Sequence, residues 1–566
     1  MSIIRRIYFY ALSFITLGIF AVGGQILLRL GFDIIKGPAL VQIEAAGFVR
    51  QQLSLGLAML VIGGVLWFLF WRAIQGQVAR SPAEVGAAIR KLFLNIILVV
   101  SALVGLNMAV GFLGWLMAGV QREQFLPEGL ATLIVAGAIW YYHWRVGEGE
   151  GQPSPAAKTL RRWYVYLLSA WGLVWLSVGL VQLINQAALF LPIWGEAIAS
   201  SGFWSSGLRH SLAWILLGGL TWAFHWFRVA RGDIDSTLRQ VYLYLPAVLG
   251  GAIAGLVALT TAMFGIFRFI IGSLDVAPGV YFQPLSWAVP TVLVAAAVWT
   301  YHKQVGQEEV SQLRERQLSV RRVYFYLMSF LGLGTLITGL IMVLGIFLEL
   351  LANAVSVGLV MVSPGWWHQQ LSLSLALLVV ALPIWMYYWN GVLRMMAEGG
   401  VAERVSRSRR IFLYVIVGVA IITLAADLVN IVYQSLNGLL QGTFGVEVLR
   451  GSKWSLQTLV IAIPVLWYHW HVLRQDQRLG AEKLPLPKTV TLLADEPAVS
   501  LVSRIGERLG SPVRLLRYLG QAPKNIPALS DEKVDKLVSD IQAAPSDKVM
   551  LVIAGGRVMV LPYQDK

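Results

Sequence analysis

Four histidines stand at one place in a recurring aromatic phrase: Trp140-Tyr-Tyr-His143-Trp144-Arg145, Trp222-Ala-Phe-His225-Trp226, Trp299-Thr-Tyr-His302-Lys303 and Leu466-Trp-Tyr-His469-Trp470. A neutral imidazole can serve as an axial haem ligand or pass a proton, so these are the first candidates for chemistry. Two further copies of the phrase put Phe70 and Tyr388 where the histidine stands. A position that accepts Phe or Tyr within the same chain reads as a ring at the membrane–water interface. His143, His225, His302 and His469 are therefore expected as interfacial rings and not as haem ligands.

Asp427 is the next candidate, because a carboxylate inside a long apolar run often marks an ion or proton path. It lies 17 residues beyond Arg410, about 25 Å along a helix that rises ~1.5 Å per residue. Asn107, Gln25 and Gln182 fall at similar depth. That level reads as an outer interface where headgroups solvate polar side chains; the alternative is a polar ring at the outer mouth of a central space. The chain has no cysteine, which excludes a disulfide framework, a thiolate metal site and a Cys nucleophile. No catalytic, metal-binding or cofactor-binding residue is assigned from the sequence, no cofactor is expected, and enzymatic activity is not the expected role.

The elements that position these residues are copies of one unit. An opening motif recurs six times: Arg5-Arg6-Ile-Tyr8-Phe-Tyr10, Arg90-Lys91-Leu-Phe93, Arg161-Arg162-Trp-Tyr164-Val-Tyr166, Arg239-Gln240-Val-Tyr242-Leu-Tyr244, Arg321-Arg322-Val-Tyr324-Phe-Tyr326 and Arg409-Arg410-Ile-Phe412-Leu-Tyr414. Each opens an apolar run of roughly twenty residues, enough to span about 30 Å of hydrocarbon. A loop and a second apolar run follow, closed by the aromatic phrase. Fixed-period self-similarity means one structural unit copied in tandem. The unit is a pair of membrane-spanning helices. First helices are expected over 7–28, 92–112, 163–184, 241–264, 323–344 and 411–433, second helices over 53–71, 126–144, 211–226, 286–301, 371–389 and 455–470. The repeats then occupy 1–80, 81–150, 151–232, 233–312, 313–400 and 401–480. Odd copies resemble one another: Ser13, Ser169 and Ser329 share one site, and Arg50-Gln51-Gln52-Leu-Ser54 parallels His368-Gln369-Gln370-Leu-Ser372. A larger four-helix unit, present three times at starts about 160 residues apart, would give that pattern. Outer segments 187–203 and 346–365 are expected as apolar pieces lying along the membrane.

Charge placement gives orientation. Of 45 Lys and Arg, 27 lie at the start of the chain or after second helices, and only 8 lie in the loops inside pairs. Basic residues stay on the cytoplasmic side, so both termini are expected there, in a bacterial inner membrane. The net charge of +15 is then a topology signal, and its placement in short flanking pairs argues against nucleic acid. Apolar residues at 57% against 13% charged leave too little polar surface for a soluble protein of this length. The 22 Trp and 19 Tyr suit interfacial belts. The Arg-Arg-x-Tyr-x-Tyr opening and the Trp-Tyr-Tyr-His-Trp-Arg closing carry a resemblance over 1–480: the chain resembles uncharacterised bacterial multi-spanning repeat proteins of the domain-of-unknown-function type. That resemblance implies architecture and brings no known activity.

After Gly480 the pattern changes. Segment 481–488, with Leu484-Pro-Leu-Pro487, is a stiff linker. Residues 489–566 read as β-α-β-α-β-β: strands over 489–494, 513–519, 549–554 and 557–562, a helix start at Asp495-Glu-Pro497 with helical spacing over 499–509, a second helix opened by Ser530-Asp-Glu and running to about 543, and a Gly555-Gly556 hairpin turn. The expected fold is an all-α polytopic membrane domain of about twelve transmembrane helices with a small C-terminal α/β cytoplasmic domain. The expected function is a membrane scaffold or sensor-like protein whose partners are the lipid bilayer and proteins docking on the tail. A transporter or permease with a path between repeats is the alternative.

Overall fold

The computed structural model describes residues 3–36, 45–150, 155–190, 204–234, 236–272, 278–309, 315–355, 365–404, 406–483, 489–493, 499–511, 513–516, 530–544, 546, 548–554 and 557–563. Over these residues the chain is mostly helical, with one small sheet near its C-terminal end. The long helices are α1 (Ile3–Lys36), α2 (Ala45–Arg80), α3 (Ala88–Met117), α4 (Pro127–Glu148), α5 (Pro155–Leu189) and α6 (Ser206–Ala223, continued as a π-turn over Phe224–Val229). They continue as α7 (Thr237–Ile271), α8 (Leu285–Glu309), α9 (Glu315–Val355), α10 (Trp366–Arg404), α11 (Arg407–Gln441) and α12 (Val446–Lys483). Among the described residues nine of them are long and apolar enough to cross a membrane; α4, α6 and α8 lie outside that group.

Every expected helix is present, and most run well beyond the expected limits. The apolar run marks only part of each helix, whereas backbone hydrogen bonding carries a helix on until a Gly, Pro or loop ends it. Residues 346–355 are thus the last turns of α9 and not the beginning of an outer loop. Segments 191–203 and 356–364, linker residues 484–488, the helix start at 495–497 and the turn at 555–556 lie outside the described residues.

Two compact units divide the chain: residues 1–392 with 423–462, and residues 393–422 with 463–566. In the first, helix partners approach until backbones touch. A Cβ on Gly172 of α5 would fall 2.5 Å from the Trp222 nitrogen, and one on Gly218 of α6 would fall 2.6 Å from the Leu176 nitrogen. Small residues at such crossings let two helices approach closely and gain dispersion energy along the contact. Ser13, Ser169 and Ser329, the shared serines of odd copies, are all fully buried. Within α7, the stretch Leu243–Leu249 widens to a π-helix around Pro246. Proline has no N–H to return to the carbonyl four residues back, and the wider turn absorbs that loss.

In the second unit the tail forms a four-stranded sheet of order β2-β1-β3-β4: β1 (Thr489–Leu493), β2 (Arg514–Leu516), β3 (Lys548–Ala554) and β4 (Arg557–Tyr563). β1 pairs parallel with β2 and β3, and β3 pairs antiparallel with β4. Helices α13 (Val499–Leu509) and α14 (Asp531–Ala543) join the strands in the expected order. Both bury apolar stripes, Leu501 and Ile505 with Val534, Val538 and Ile541, against one face of the sheet built by Val490, Leu492, Val549 and Leu551. The opposite face carries Leu493, Val552 and Met559 in one cross-strand row. Met559, Leu561 and Leu516 on that face are exposed.

Candidate functional site

At their basic ends the helix pairs are closed by ion pairs. In odd pairs the second arginine of the opening motif reaches a carboxylate beyond the second helix: Arg6 holds Glu84 at 2.7 and 2.9 Å, and Arg162 holds Asp233 at 2.5 and 2.8 Å. In even pairs the first arginine reaches a carboxylate that lies past the closing aromatic phrase. Arg90 pairs with Glu150 at 2.7 Å, Arg239 with Glu309 at 2.7 and 3.0 Å, and Arg409 with Asp476 at 2.5 Å. Lys91 adds a second cation to Glu150, and Gln240 donates to Glu309 at 3.0 Å. Arg322 and Glu403 hold the corresponding places in the fifth pair. The odd arginines are partly exposed, 22% for Arg6 and 36% for Arg162, whereas Arg90 and Arg409 are 1% exposed. Burial separates their energetics: a solvated pair adds little, but a buried pair broken on one side leaves an uncompensated charge.

Around Arg90 and Arg239 stands an aromatic box. The Arg90 guanidinium lies 5.6 Å over Trp71, and that of Arg239 lies 4.4 Å over Trp226, within cation–π range. Trp71 Nε1 donates to the Tyr142 hydroxyl at 2.6 Å and Trp226 Nε1 to Tyr301 at 2.9 Å. His143 and His302 sit against these tryptophans, ring centres 5.6 and 5.8 Å apart. Each of the four histidines turns Nδ1 to the carbonyl one helical turn back, at 2.8 Å, on Ile139, Thr221, Val298 and Val465. Donation to a carbonyl needs a proton on Nδ1, which leaves Nε2 as the lone-pair nitrogen. His143, His302 and His469 are buried to 1–2% exposure, while His225 is half-buried. Three of the four thus differ from the interfacial exposure expected of them. They belong to even copies, and each stands seven residues before the carboxylate of its own pair: Glu150, Glu309 and Asp476. Two helical turns put ring and carboxylate on one face. Among the described residues no group of three or more His, Asp or Glu is placed to hold a metal ion.

Successive pairs are tied by a second device. Trp140 donates to Tyr164 at 3.2 Å, Trp222 to Tyr242 at 3.0 Å and Trp299 to Tyr324 at 3.3 Å. In each case the first tryptophan of a closing phrase reaches the first tyrosine of the next opening motif. Where that next residue is Phe93 or Phe412, the equivalent tryptophans Trp67 and Trp385 bury an Nε1 that has no hydrogen-bond partner. Phe93→Tyr is therefore expected to raise stability by about 1 kcal/mol, the usual net worth of such a bond, and Tyr242→Phe to lower it by about as much. Thermal unfolding of the two variants in one detergent measures both; equal shifts of the same sign would refute the clasp.

Glu84 lies in the short helix Pro82–Val85, outside the apolar segments. Its hydrogen bonds from the Arg6 guanidinium pull the carboxyl down from 4.5 to about 2. A depressed carboxyl contributes stability that is complete above its unfolded value and is lost as pH falls toward the folded one. The pair should thus weaken between about pH 4.5 and pH 2. Glu84→Gln, compared with the native chain by unfolding at a series of pH values, should flatten that part of the acid limb.

Asp427 is buried, 5% exposed, and accepts a 2.6 Å bond from Thr458 Oγ1. Asn430 donates to Ser455 at 2.9 Å one turn further on. The expected headgroup solvation is thus replaced by side-chain hydrogen bonds between α11 and α12, since a carboxylate facing a partner helix must be satisfied there. Nearby, Lys453 holds Glu349 at 2.7 Å and Arg450 donates to Asn353 at 2.7 Å, joining the fifth and sixth pairs at this level. Gln25 and Gln182 line two apolar clefts in other pairs.

A sequence profile described as a domain of unknown function (DUF5671) matches residues 6–126, 108–190, 162–279, 248–351 and 322–451. Together these matches cover well over half of the chain, and the chain belongs to this family. The resemblance read from the motifs is thereby borne out. Three of the matches begin at Arg6, Arg162 and Arg322, the second arginine of the first, third and fifth opening motifs. No curated protein and no solved structure matches the chain.

Proposed function

We propose that the chain is a twelve-span scaffold of the bacterial cytoplasmic membrane, with both termini in the cytoplasm and a tail domain that docks protein partners. The observation that carries this reading is an apolar row on the sheet face opposite the two tail helices, whose end members Leu516 and Met559 are exposed among the described residues. Leu516, Leu493, Val552 and Met559 form a continuous apolar row away from both helices, and an apolar patch left open beside polar surface is the usual mark of a protein-binding face. The repeated clasps fit a scaffold role, because ion pairs and Trp–Tyr bonds hold successive pairs at fixed spacing. A transport role is the second reading, favoured by Asp427, a carboxylate buried far along an apolar helix. Single cysteines at positions 2 and 564 of this cysteine-free chain test the topology: both should resist impermeant thiol reagents in whole cells, and labelling of only one would rule out an even number of spans. Deleting 484–566 should leave the membrane part inserted, and the fragment itself should fold as a soluble α/β domain. A random-coil fragment would remove the docking domain from the proposal.

A further inference from the structure

Two clefts in the first unit repeat one another. One, about 390 Å³, lies among α1, α3 and α4; the other, about 320 Å³, lies among α5, α7 and α8. Leu17 and Leu173 line them at eleven residues beyond Arg6 and Arg162, Ile97 and Pro246 at seven beyond Arg90 and Arg239, Thr132 and Thr291 at eleven before His143 and His302. An accidental packing gap would not recur at the same places in helices whose sequences have diverged this far.

The walls decide what can fill them. Both clefts are lined mainly by Leu, Val, Ile, Ala and Gly, with Ser101, Thr132 and Glu128 as further polar groups in the first and Ser177 and Thr291 in the second, and their rims include the exposed side chains Phe14, Val100 and Val174. They open sideways onto the apolar outer surface of the helices. Water would find too few polar partners there, and an empty cleft would forfeit dispersion contacts along its lining. Each cleft follows its first helix for eleven or twelve residues, from Phe14 to Gln25 and from Ala170 to Gln182. That is roughly 16–18 Å at ~1.5 Å per residue, the length scale of a fatty acyl chain across one leaflet of a hydrocarbon core about 30 Å thick. At the end away from the arginines stands one amide in each cleft, Gln25 and Gln182, and an amide NH₂ can donate to an ester carbonyl.

We propose that each cleft binds one acyl chain of a phospholipid from the leaflet opposite the arginine-rich ends, with its ester region at Gln25 or Gln182. The proposal rests on the membrane reading above. Gly18 offers the sharpest test, because a Cβ there meets no atom within 4 Å and a large side chain can enter the cleft without moving a backbone. Its counterpart is Val174, twelve residues beyond Arg162 as Gly18 is beyond Arg6.

The full chain, reconstituted with phosphatidylethanolamine and phosphatidylglycerol and extracted into mild detergent, is weighed by native mass spectrometry. The native protein should retain about two lipids, Gly18→Trp and Val174→Trp about one each, and the double variant none, while Gly18→Ala keeps both. Absence of retained lipid on the native protein overturns the proposal without recourse to any variant. So does a double variant that still melts cooperatively and keeps both lipids, or one that loses a second copy of the chain instead of lipid. Alkaline carbonate extraction separates the two levels: a chain released from membranes sinks the membrane reading, whereas a carbonate-resistant chain with unchanged lipid count sinks the clefts alone.

Discussion

Replacing Arg239 by methionine should cost about 3–5 kcal/mol, the range for breaking a buried ion pair on one side. The guanidinium makes bonds of 3.0, 3.2 and 2.7 Å to Glu309 and one of 2.7 Å to the Ala230 carbonyl, and it lies 4.4 Å over Trp226. Without it Glu309 keeps, among the described residues, the 3.0 Å bond from Gln240 at a site where the carboxylate is buried. The double variant Arg239→Met, Glu309→Leu removes both charges and should recover most of the loss, since apolar replacement of a whole buried pair is often neutral. Arg162→Met, at a pair with 36% arginine exposure, should cost no more than about 1 kcal/mol. Denaturant unfolding in mixed micelles ranks the three. A double variant as unstable as the single would show that Arg239 acts through packing on Trp226 and not through its charge.

Gly218→Leu should be among the most damaging single changes in the helical part. The new Cβ would sit 2.6 Å from the Leu176 nitrogen and 2.8 Å from the Gly172 carbonyl oxygen. These are backbone atoms, so no change of rotamer can relieve the clash and α5 must part from α6. Overpacking of flexible side chains alone costs about 1–3 kcal/mol; a rigid backbone obstruction should exceed that and abolish the monodisperse peak in size-exclusion chromatography. Its neighbour supplies the control. A Cβ on Gly219 would meet only the Leu176 Cδ1 at 3.5 Å, an ordinary contact, and Gly219→Leu should behave as the native chain. Equal yields of the two variants would mean that the close crossing is not what holds this pair.

The helix pairs were legible because the opening motif and the apolar run repeat together, and each copy corroborates the others. The tail was legible for a different reason: Ser530 before α14 and the alternating strands at 549–554 and 557–562 are local signals, and the observed order of strands and helices follows them. The carboxylates that complete the ion pairs were not anticipated. They stand seven residues past the histidine in even copies, but 14 and 8 past the equivalent ring in odd ones, at Glu84 and Asp233, so an alignment over all the copies blurs them. Reading even copies apart from odd ones would have revealed the constant spacing His143–Glu150, His302–Glu309 and His469–Asp476. The histidines looked exchangeable with Phe70 and Tyr388 because those rings belong to odd copies, where no carboxylate follows seven residues on; the position can be enclosed there too, since Tyr388 is 4% exposed. The π-segment at Pro246 had a visible cause in the proline, yet nothing local says whether such a helix kinks, breaks or widens.

The ion pairs also set a timetable for synthesis. Each arginine is made before its carboxylate, by 78 residues for Arg6, 60 for Arg90, 71 for Arg162, 70 for Arg239 and 67 for Arg409. At a ribosomal rate of about 5–20 residues per second the wait is roughly 3–16 s. In the topology proposed above, the first helix of a pair is held during that interval by its unneutralised arginine at the side where the chain is being made. The carboxylate then arrives only after the second helix has been threaded back. Each of these five pairs therefore latches once its hairpin is complete, and the next pair can then be added to a finished neighbour.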